Sequence, residues 1–315
     1  MTAGTKWTAD AMPDQTGRTV LITGANSGLG LRSAEALASH GARVLMGCRN
    51  EARAEAARTQ VAKLATGPEP VVVRLDLADL ASVEACAAEV DTTVERLDVL
   101  MNNAGLMRIP LARTAQGFEM QLGVNHLGHF ALTGRLLPAL LRATAPRVVT
   151  TASNAHKFGR IKWDDLNAEK RYRKWPAYGQ SKLANLLFVH ELDRRARAAG
   201  TDLVSVAGHP GYAATHLQTA GIEQEGGVRA RLFVGAVAFG NRVVAQSDTM
   251  GALPQLYAAT MPDVAGGDYY GPDRFLEQRG HPKKVTGNAR STDTTDAHRL
   301  WQVSEELTGV LYPWP

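Results

Sequence analysis

Short apolar, β-rich runs alternate with stretches of helical periodicity along almost the whole chain. The runs are Thr19–Thr23, Arg43–Cys48, Val71–Leu75, Val99–Met101, Pro146–Thr151 and Leu203–Ala207. Between them, apolar spacing predicts helices from a glycine-rich turn to His40, over Asn50–Lys63, from Asp79 to about Val94, and in long segments within Gly117–Ala145. A further helix is expected over Ala177–Ala199, a last short strand at Tyr269-Tyr270 and a C-terminal helix over Asp293–Leu307. Strands joined by helical crossovers predict an α/β fold with a parallel, doubly wound sheet, a Rossmann-type arrangement that binds ligands at the carboxyl ends of its strands. With no linker, repeat or low-complexity segment, the chain reads as a polar tail, 1–17, and one domain, 18–315. Within that domain, a segment near 212–252 carries the apolar run Leu232–Phe239. It is expected either to cap a pocket at the carboxyl edge or to be plain core.

The first strand runs into Gly24-Ala25-Asn26-Ser27-Gly28-Leu29-Gly30 and then a helix. Strand, glycine turn and helix N-terminus together make a phosphate site. Glycines let the backbone approach a pyrophosphate, and the helix end offers N–H donors and positive dipole. The second strand ends in Gly47-Cys48-Arg49, with no carboxylate where a ribose 2′-hydroxyl would be read. A guanidinium at that place pairs with a 2′-phosphate, so NADP(H) is favoured over NAD(H); a surface Arg opening the next helix is the plainer alternative. Asp76-Leu77 leaves the third strand where an adenine would lie, and Asn102-Asn103-Ala104-Gly105 makes another tight turn at the same edge.

Tyr178-Gly179-Gln180-Ser181-Lys182 opens the helix over Ala177–Ala199. Residues four apart share a helix face, so the Tyr178 hydroxyl and Lys182 ammonium can address one bound molecule. A nearby cation favours the phenolate, which would lower the tyrosine from its usual pKa near about 10 and poise it as a general acid or base. An interfacial tyrosine beside a solvated lysine has the same spacing. Ser153 ends the strand before that helix, and Asn125 sits in an apolar helical stretch where a buried amide needs partners. His126 and His129 lack a third ligand, so no metal is assigned.

Composition narrows the class. Of 315 residues, 35 are basic and 31 acidic, a formal charge of +4 with no dense basic block, which argues against a nucleic-acid surface. Cys48 and Cys86 form neither a metal motif nor a disulfide framework, and no apolar run is long enough to span a bilayer. The polar N-terminus lacks a signal core. A soluble, cytoplasmic protein without a membrane anchor is expected.

Taken in order, Thr23-Gly24 with Gly28 and Gly30, Asp76, Asn102 to Gly105, Asn125, Ser153, Tyr178, Lys182 and Pro210-Gly211 resemble the short-chain dehydrogenase/reductase family almost end to end. Val124 to Phe130, Tyr178 to Leu187 and Arg299 to Ser304 resemble its retinol dehydrogenase/protochlorophyllide reductase-like branch. The resemblance implies an NADP(H)-dependent oxidoreductase that interconverts a carbonyl and an alcohol on a hydrophobic small molecule. Ser153 would bind the substrate oxygen and Tyr178 would supply the proton as hydride arrives. Lys182 would hold the nicotinamide ribose and lower Tyr178, and Asn125 would hold a relay water. Thr215 and the backbone after Pro210-Gly211 would grip the nicotinamide amide and pyrophosphate. Asn26, Ser27, Leu29, Leu77, Asn103, Ala104 and Gly105 complete the expected cofactor contacts. Members of the family are commonly dimers or tetramers, so a homo-oligomer is expected. Vertebrate retinol dehydrogenases often carry an apolar N-terminal anchor that this polar start lacks, so the chemistry carries over but the retinoid does not. Reduction of a C=C bond and a non-catalytic NADP(H) sensor stay open at this point.

Overall fold

The structure, a computed structural model, describes residues 6–212 and 246–315. Among these, eight strands form one sheet. They are β1 Thr19–Thr23, β2 Arg43–Cys48, β3 Val71–Arg74, β4 Val99–Asn102, β5 Arg147–Thr151, β6 Val204–Gly208, β7 Tyr269–Arg274 and β8 Arg279–Val285. Their order across the sheet is β3-β2-β1-β4-β5-β6-β7-β8, so the direction of winding reverses between β1 and β4. The first seven strands pair in parallel, with Val20 beside Val44 on one side and Val99 on the other. All five residues of β1 are buried, which is why the central strands read as continuous apolar runs.

Helices α1 Gly28–Ser39, α2 Glu51–Ala62 and α7 Asp248–Thr260 pack on one face, around Leu37, Ala54 and Leu256. The other face carries α3 Leu80–Thr93, α5 Gly128–Leu141, α6 Lys174–Ala198 and the C-terminal helix α8 Thr294–Thr308. Phe130, Trp301 and Tyr312 interlock there, with ring centres 5.0 Å apart from Phe130 to Trp301 and 4.4 Å apart from Trp301 to Tyr312. The one-turn helix α4, Met120–Leu122, enters α5 through a π-helical turn, Gly123–Leu127.

Three features depart from the pattern read in the sequence. Tyr269-Tyr270 opens a hairpin, not a lone strand: β8 runs antiparallel on the edge of the sheet. The hairpin tip, Phe275-Leu276-Glu277, is left-handed at three successive residues, with φ between 51° and 65°. Second, α7 lies where no helix was expected. Third, the long helix around Asn125 is interrupted by the π turn. Of the expected cap near 212–252, residues 213–245 lie outside the described residues, and so does Thr215.

Candidate active site

The carboxyl ends of β1, β2, β3 and β4 open on a cleft of about 300 Å³. Gly24, Asn26, Ser27, Gly28, Leu29, Gly30, Arg49, Asp76, Leu77, Asn103, Ala104 and Gly105 all line it, which gathers twelve of the expected cofactor residues in one place. Gly47, Asn50, Arg53, Leu75 and Leu106 line it too and were not anticipated. Of these, Arg53 had a usable signal: it is a second arginine, in the first turn of α2, just after Arg49 at the end of β2. Both arginines are exposed, and neither is in an ion pair among the described residues.

The cradle is built for close backbone approach. Gly24 has φ +69°, and a Cβ on Gly30 would stand 2.4 Å from the Gly24 carbonyl oxygen. A Cβ on Gly28 would meet nothing within 4 Å, so the open side of the turn faces the cleft. Ser27 caps α1 without a side-chain hydrogen bond, which leaves the first-turn N–H groups to an incoming anion. Two unpaired guanidiniums, a glycine cradle and a bare helix N-terminus fit a dinucleotide with an additional phosphate.

A chain of hydrogen bonds fixes the cradle to the next turn. Thr23 Oγ1 accepts the N–H of Asn103 at 2.9 Å and of Ala104 at 2.8 Å, and its own proton faces His129 Nε2 at 2.9 Å. The other ring nitrogen of His129 donates to the Asn125 carbonyl at 3.1 Å. Full burial keeps this histidine neutral, with its pKa pushed down to about 4. From α7, Gln255 Nε2 donates to Ser33 Oγ at 2.7 Å and to Asn103 Oδ1 at 3.2 Å, while its oxygen accepts from Thr151 at 3.0 Å. One buried amide thus joins α1, the turn after β4 and the end of β5.

Asn125 sits in the π turn. Its Oδ1 accepts the Leu106 N–H at 2.7 Å, and its Nδ2 donates to Leu106 O and to Ser181 Oγ, each at 2.9 Å. Both amide hydrogens are committed to protein partners, so the side chain braces the loop after β4 against α6.

Tyr178 and Lys182 lie on one face of α6 and are both buried. Lys182 Nζ donates to the Thr151 carbonyl at 2.9 Å, and burial without a counter-charge depresses its pKa to about 8. Ser153, beyond the end of β5, is half-buried and opens the 3-10 turn Asn154–Phe158, its Oγ accepting the Ala155 N–H at 3.2 Å. The expectation that Lys182 lowers Tyr178 is not met in this arrangement. Burial pushes the Tyr178 hydroxyl up, and the opposing influence is the Ser153 hydroxyl. Full desolvation outweighs a cation whose nitrogen is 5.9 Å from the phenol ring centre and turned to a carbonyl.

The hairpin closes the site from the other side. Buried His209 and Lys157 both approach Glu277, at 3.5 and 3.0 Å, and together they hold that carboxyl down at about 2. Gly211 has φ +63° beside Pro210, and a Cβ there would strike the Gln278 carbonyl at 2.4 Å. Pro210-Gly211 is therefore packed against the hairpin at the carboxyl end of β6 and is not among the residues lining the glycine cleft. Among the described residues, no group of three or more His, Cys, Asp or Glu side chains converges.

Residues 18–226 match the family model described as short chain dehydrogenase. The chain is 42% identical over 311 residues to human retinol dehydrogenase 14, covering 94% of this chain and 87% of that protein. It is 37% identical to human retinol dehydrogenase 13, covering 94% and 86% respectively. Among solved structures, it matches an uncharacterized protein from Mycobacterium paratuberculosis with TM-score 0.80 and 43% identity, over 98% of this chain and 100% of the other. A short chain dehydrogenase from Escherichia coli complexed with NADPH matches at TM-score 0.54 and 27% identity, over 66% of this chain and 82% of that one.

Proposed function

The chain belongs to the short-chain dehydrogenase/reductase family of oxidoreductases, and from that membership we propose that it is an NADP(H)-dependent enzyme interconverting a carbonyl and an alcohol on a hydrophobic small molecule. The observation that carries the reading is that Tyr178 and Lys182 lie buried on one face of α6, with Lys182 bonded to the end of β5 just before Ser153, at the same sheet edge as the glycine cradle. When bound, the dinucleotide supplies or accepts the hydride. Tyr178 carries the proton: its raised pKa keeps the hydroxyl protonated at neutrality, as an acid that protonates a carbonyl oxygen requires. Ser153 positions that oxygen, and the braces from Asn125 and Gln255 hold the surrounding turns without rearrangement.

Arg49 and Arg53 support the choice of NADP(H), because a phosphate between two unpaired guanidiniums gains charge-assisted hydrogen bonds that a ribose hydroxyl does not. A hydrophobic substrate is supported by Phe158 and Trp175, exposed aromatics whose ring centres lie 6.0 Å apart, with Trp175 6.3 Å from Tyr178. The test is cofactor consumption, NADPH beside NADH, against lipophilic aldehydes, ketones, quinones and enones. Alcohol formation at the expense of NADPH is expected. Saturation of an enone with its carbonyl intact would replace this reading with C=C reduction, and tight NADPH binding without turnover anywhere would replace it with a sensor.

A further inference from the structure

Arg108 stands in the loop that leaves β4, two residues past Leu106, where the cofactor cleft ends. Its backbone is left-handed, φ 57°, an uncommon conformation for a residue with a side chain. The surroundings hold it there. The Arg108 N–H donates to Gln121 Oε1 at 2.8 Å, and Gln121 Nε2 donates to Tyr172 Oη at 2.9 Å. Tyr172 in turn donates to the Ile109 carbonyl at 2.7 Å. Strain kept by so many partners marks a position whose direction matters.

That direction is toward the reaction. The guanidinium lies 4.8 Å from the ring centre of Trp175, whose ring is 6.3 Å from that of Tyr178. Trp175 precedes Tyr178 by three residues on α6, so the two rings share a face. Arg108 Nε is buried and has no hydrogen-bond partner, and among the described residues no carboxylate pairs with this arginine. A cation partly removed from water without a counter-charge is costly, and an anionic ligand would offset that cost.

The mouth of the site has the matching potential. Residues 156–176 contain seven Lys or Arg and three Asp or Glu, a local excess equal to the formal +4 of the whole chain. Within the loop Asp164 pairs with Lys170 at 3.8 Å and Asp165 takes three backbone N–H groups, and Lys157 pairs with Glu277 on the hairpin, so the positive rim is set by the remaining bases. A cationic rim of this kind draws anions inward.

We propose that Arg108 recognises an anionic group of the substrate, which is then a lipophilic carbonyl or alcohol bearing a carboxylate away from the reacting carbon; this rests on the oxidoreductase reading above. The contact with the Trp175 ring, 4.8 Å from its centre, holds the guanidinium beside the α6 face, and its terminal nitrogens offer the fork that matches a carboxylate. The apolar part of such a substrate spans Trp175 and Phe158, between the anion at Arg108 and the oxygen at Tyr178.

The experiment compares kcat/KM, with NADPH, for medium-chain ω-oxo fatty acids and their methyl esters, in wild type, Arg108→Gln and Arg108→Lys. In wild type the acids are favoured by about tenfold, the size expected of one charge-assisted pair. In Arg108→Gln the acid-to-ester ratio falls to near one, and Arg108→Lys retains part of it. A purely structural arginine would lower both series together and leave the ratio where it was, which overturns the proposal. Ester turnover in wild type with no preference for the acid also overturns it and leaves the reductase reading intact. No NADPH consumption with either series overturns the carboxylate proposal, while the reductase reading stands or falls on the wider panel of carbonyls.

Discussion

Lys182 and Tyr178 lie one turn apart on α6, yet the ammonium gives its hydrogen bond to the Thr151 carbonyl at 2.9 Å and stays 5.9 Å from the phenol ring centre. Lysine and tyrosine are therefore two separately desolvated groups, one pushed down and the other up. A buried tyrosine that stays protonated is an acid in waiting, and its hydroxyl is the only part a phenylalanine lacks. Tyr178→Phe should lower kcat by a factor of about a hundred to ten thousand, the usual range for a lost acid-base group. NADPH affinity, measured by fluorescence titration, should change little, since Tyr178 does not line the glycine cleft. A Phe variant with near wild-type turnover would remove Tyr178 from the chemistry.

The depressed Lys182 makes a prediction about stability. Its folded pKa, about 8, lies below the ordinary 10.5, so between those values the unfolded chain binds a proton that the folded protein does not. Stability then rises with pH across that window, and below pH 8 the folded state carries the whole burden of a buried cation, about 3 kcal/mol. Lys182→Met removes the burden and one hydrogen bond. Without cofactor, the variant should melt above wild type at neutral pH, with the gap narrowing as pH climbs past 8. A gap that ignores pH would show that Lys182 is not buried as a cation.

The pattern of apolar positions revealed the sheet because its central strands are buried on both faces, as in Val20-Leu21-Ile22 and Val44-Leu45-Met46. The same logic hid β8. Arg279–Val285 lies on the sheet edge and carries Pro282, Lys283 and Lys284, residues that blunt an edge against pairing and erase apolar alternation. Helix α7 was masked by Gly251 and Pro254 inside it. In the site, local motifs were legible and tertiary bonds were not. The spacing of Tyr178 and Lys182 placed them on one face but did not show Thr151 taking the ammonium. Gln255 and Arg108 belong to no motif; only folding brings them to Asn103 and Trp175.

Acid should loosen the fold through its buried histidines. His129, wedged between Thr23 and the Asn125 carbonyl, and His126, bonded to Ser304 at 2.9 Å, are held neutral by burial, at about 4 and about 3. Unfolded histidines take up protons below their ordinary 6.5, and these two do not until far lower. Stability is thus complete above 6.5 and drains away as pH falls toward 4. His129→Gln keeps a hydrogen-bonding amide but no titrating ring. Its melting temperature, lower than wild type at pH 7, should fall less steeply on acidification; equal slopes would contradict the assignment.

Arg49 and Arg53 both line the glycine cleft, and both are without an acidic partner among the described residues, so the proposed preference for NADP(H) can be tested on them. A 2′-phosphate set between them would make charge-assisted bonds to each, at about 1.5–3 kcal/mol per bond. Both side chains are exposed, so salt screens the interaction and the effective gain lies toward the lower figure. Arg49→Glu does more than delete a bond, because a carboxylate repels the phosphate and can accept from a ribose hydroxyl instead. The ratio of kcat/KM for NADPH to that for NADH should therefore drop at least about tenfold in Arg49→Glu. Arg53→Glu should lower it less, because Arg53 sits a turn beyond the end of β2 while Arg49 follows it directly. In the double variant NADH should become the better cofactor. The preference of wild type should itself weaken with added salt, as a phosphate contact demands and a hydroxyl contact does not. If Arg49→Glu leaves the ratio untouched while Arg53→Glu collapses it, the phosphate is read from α2 rather than from the end of β2.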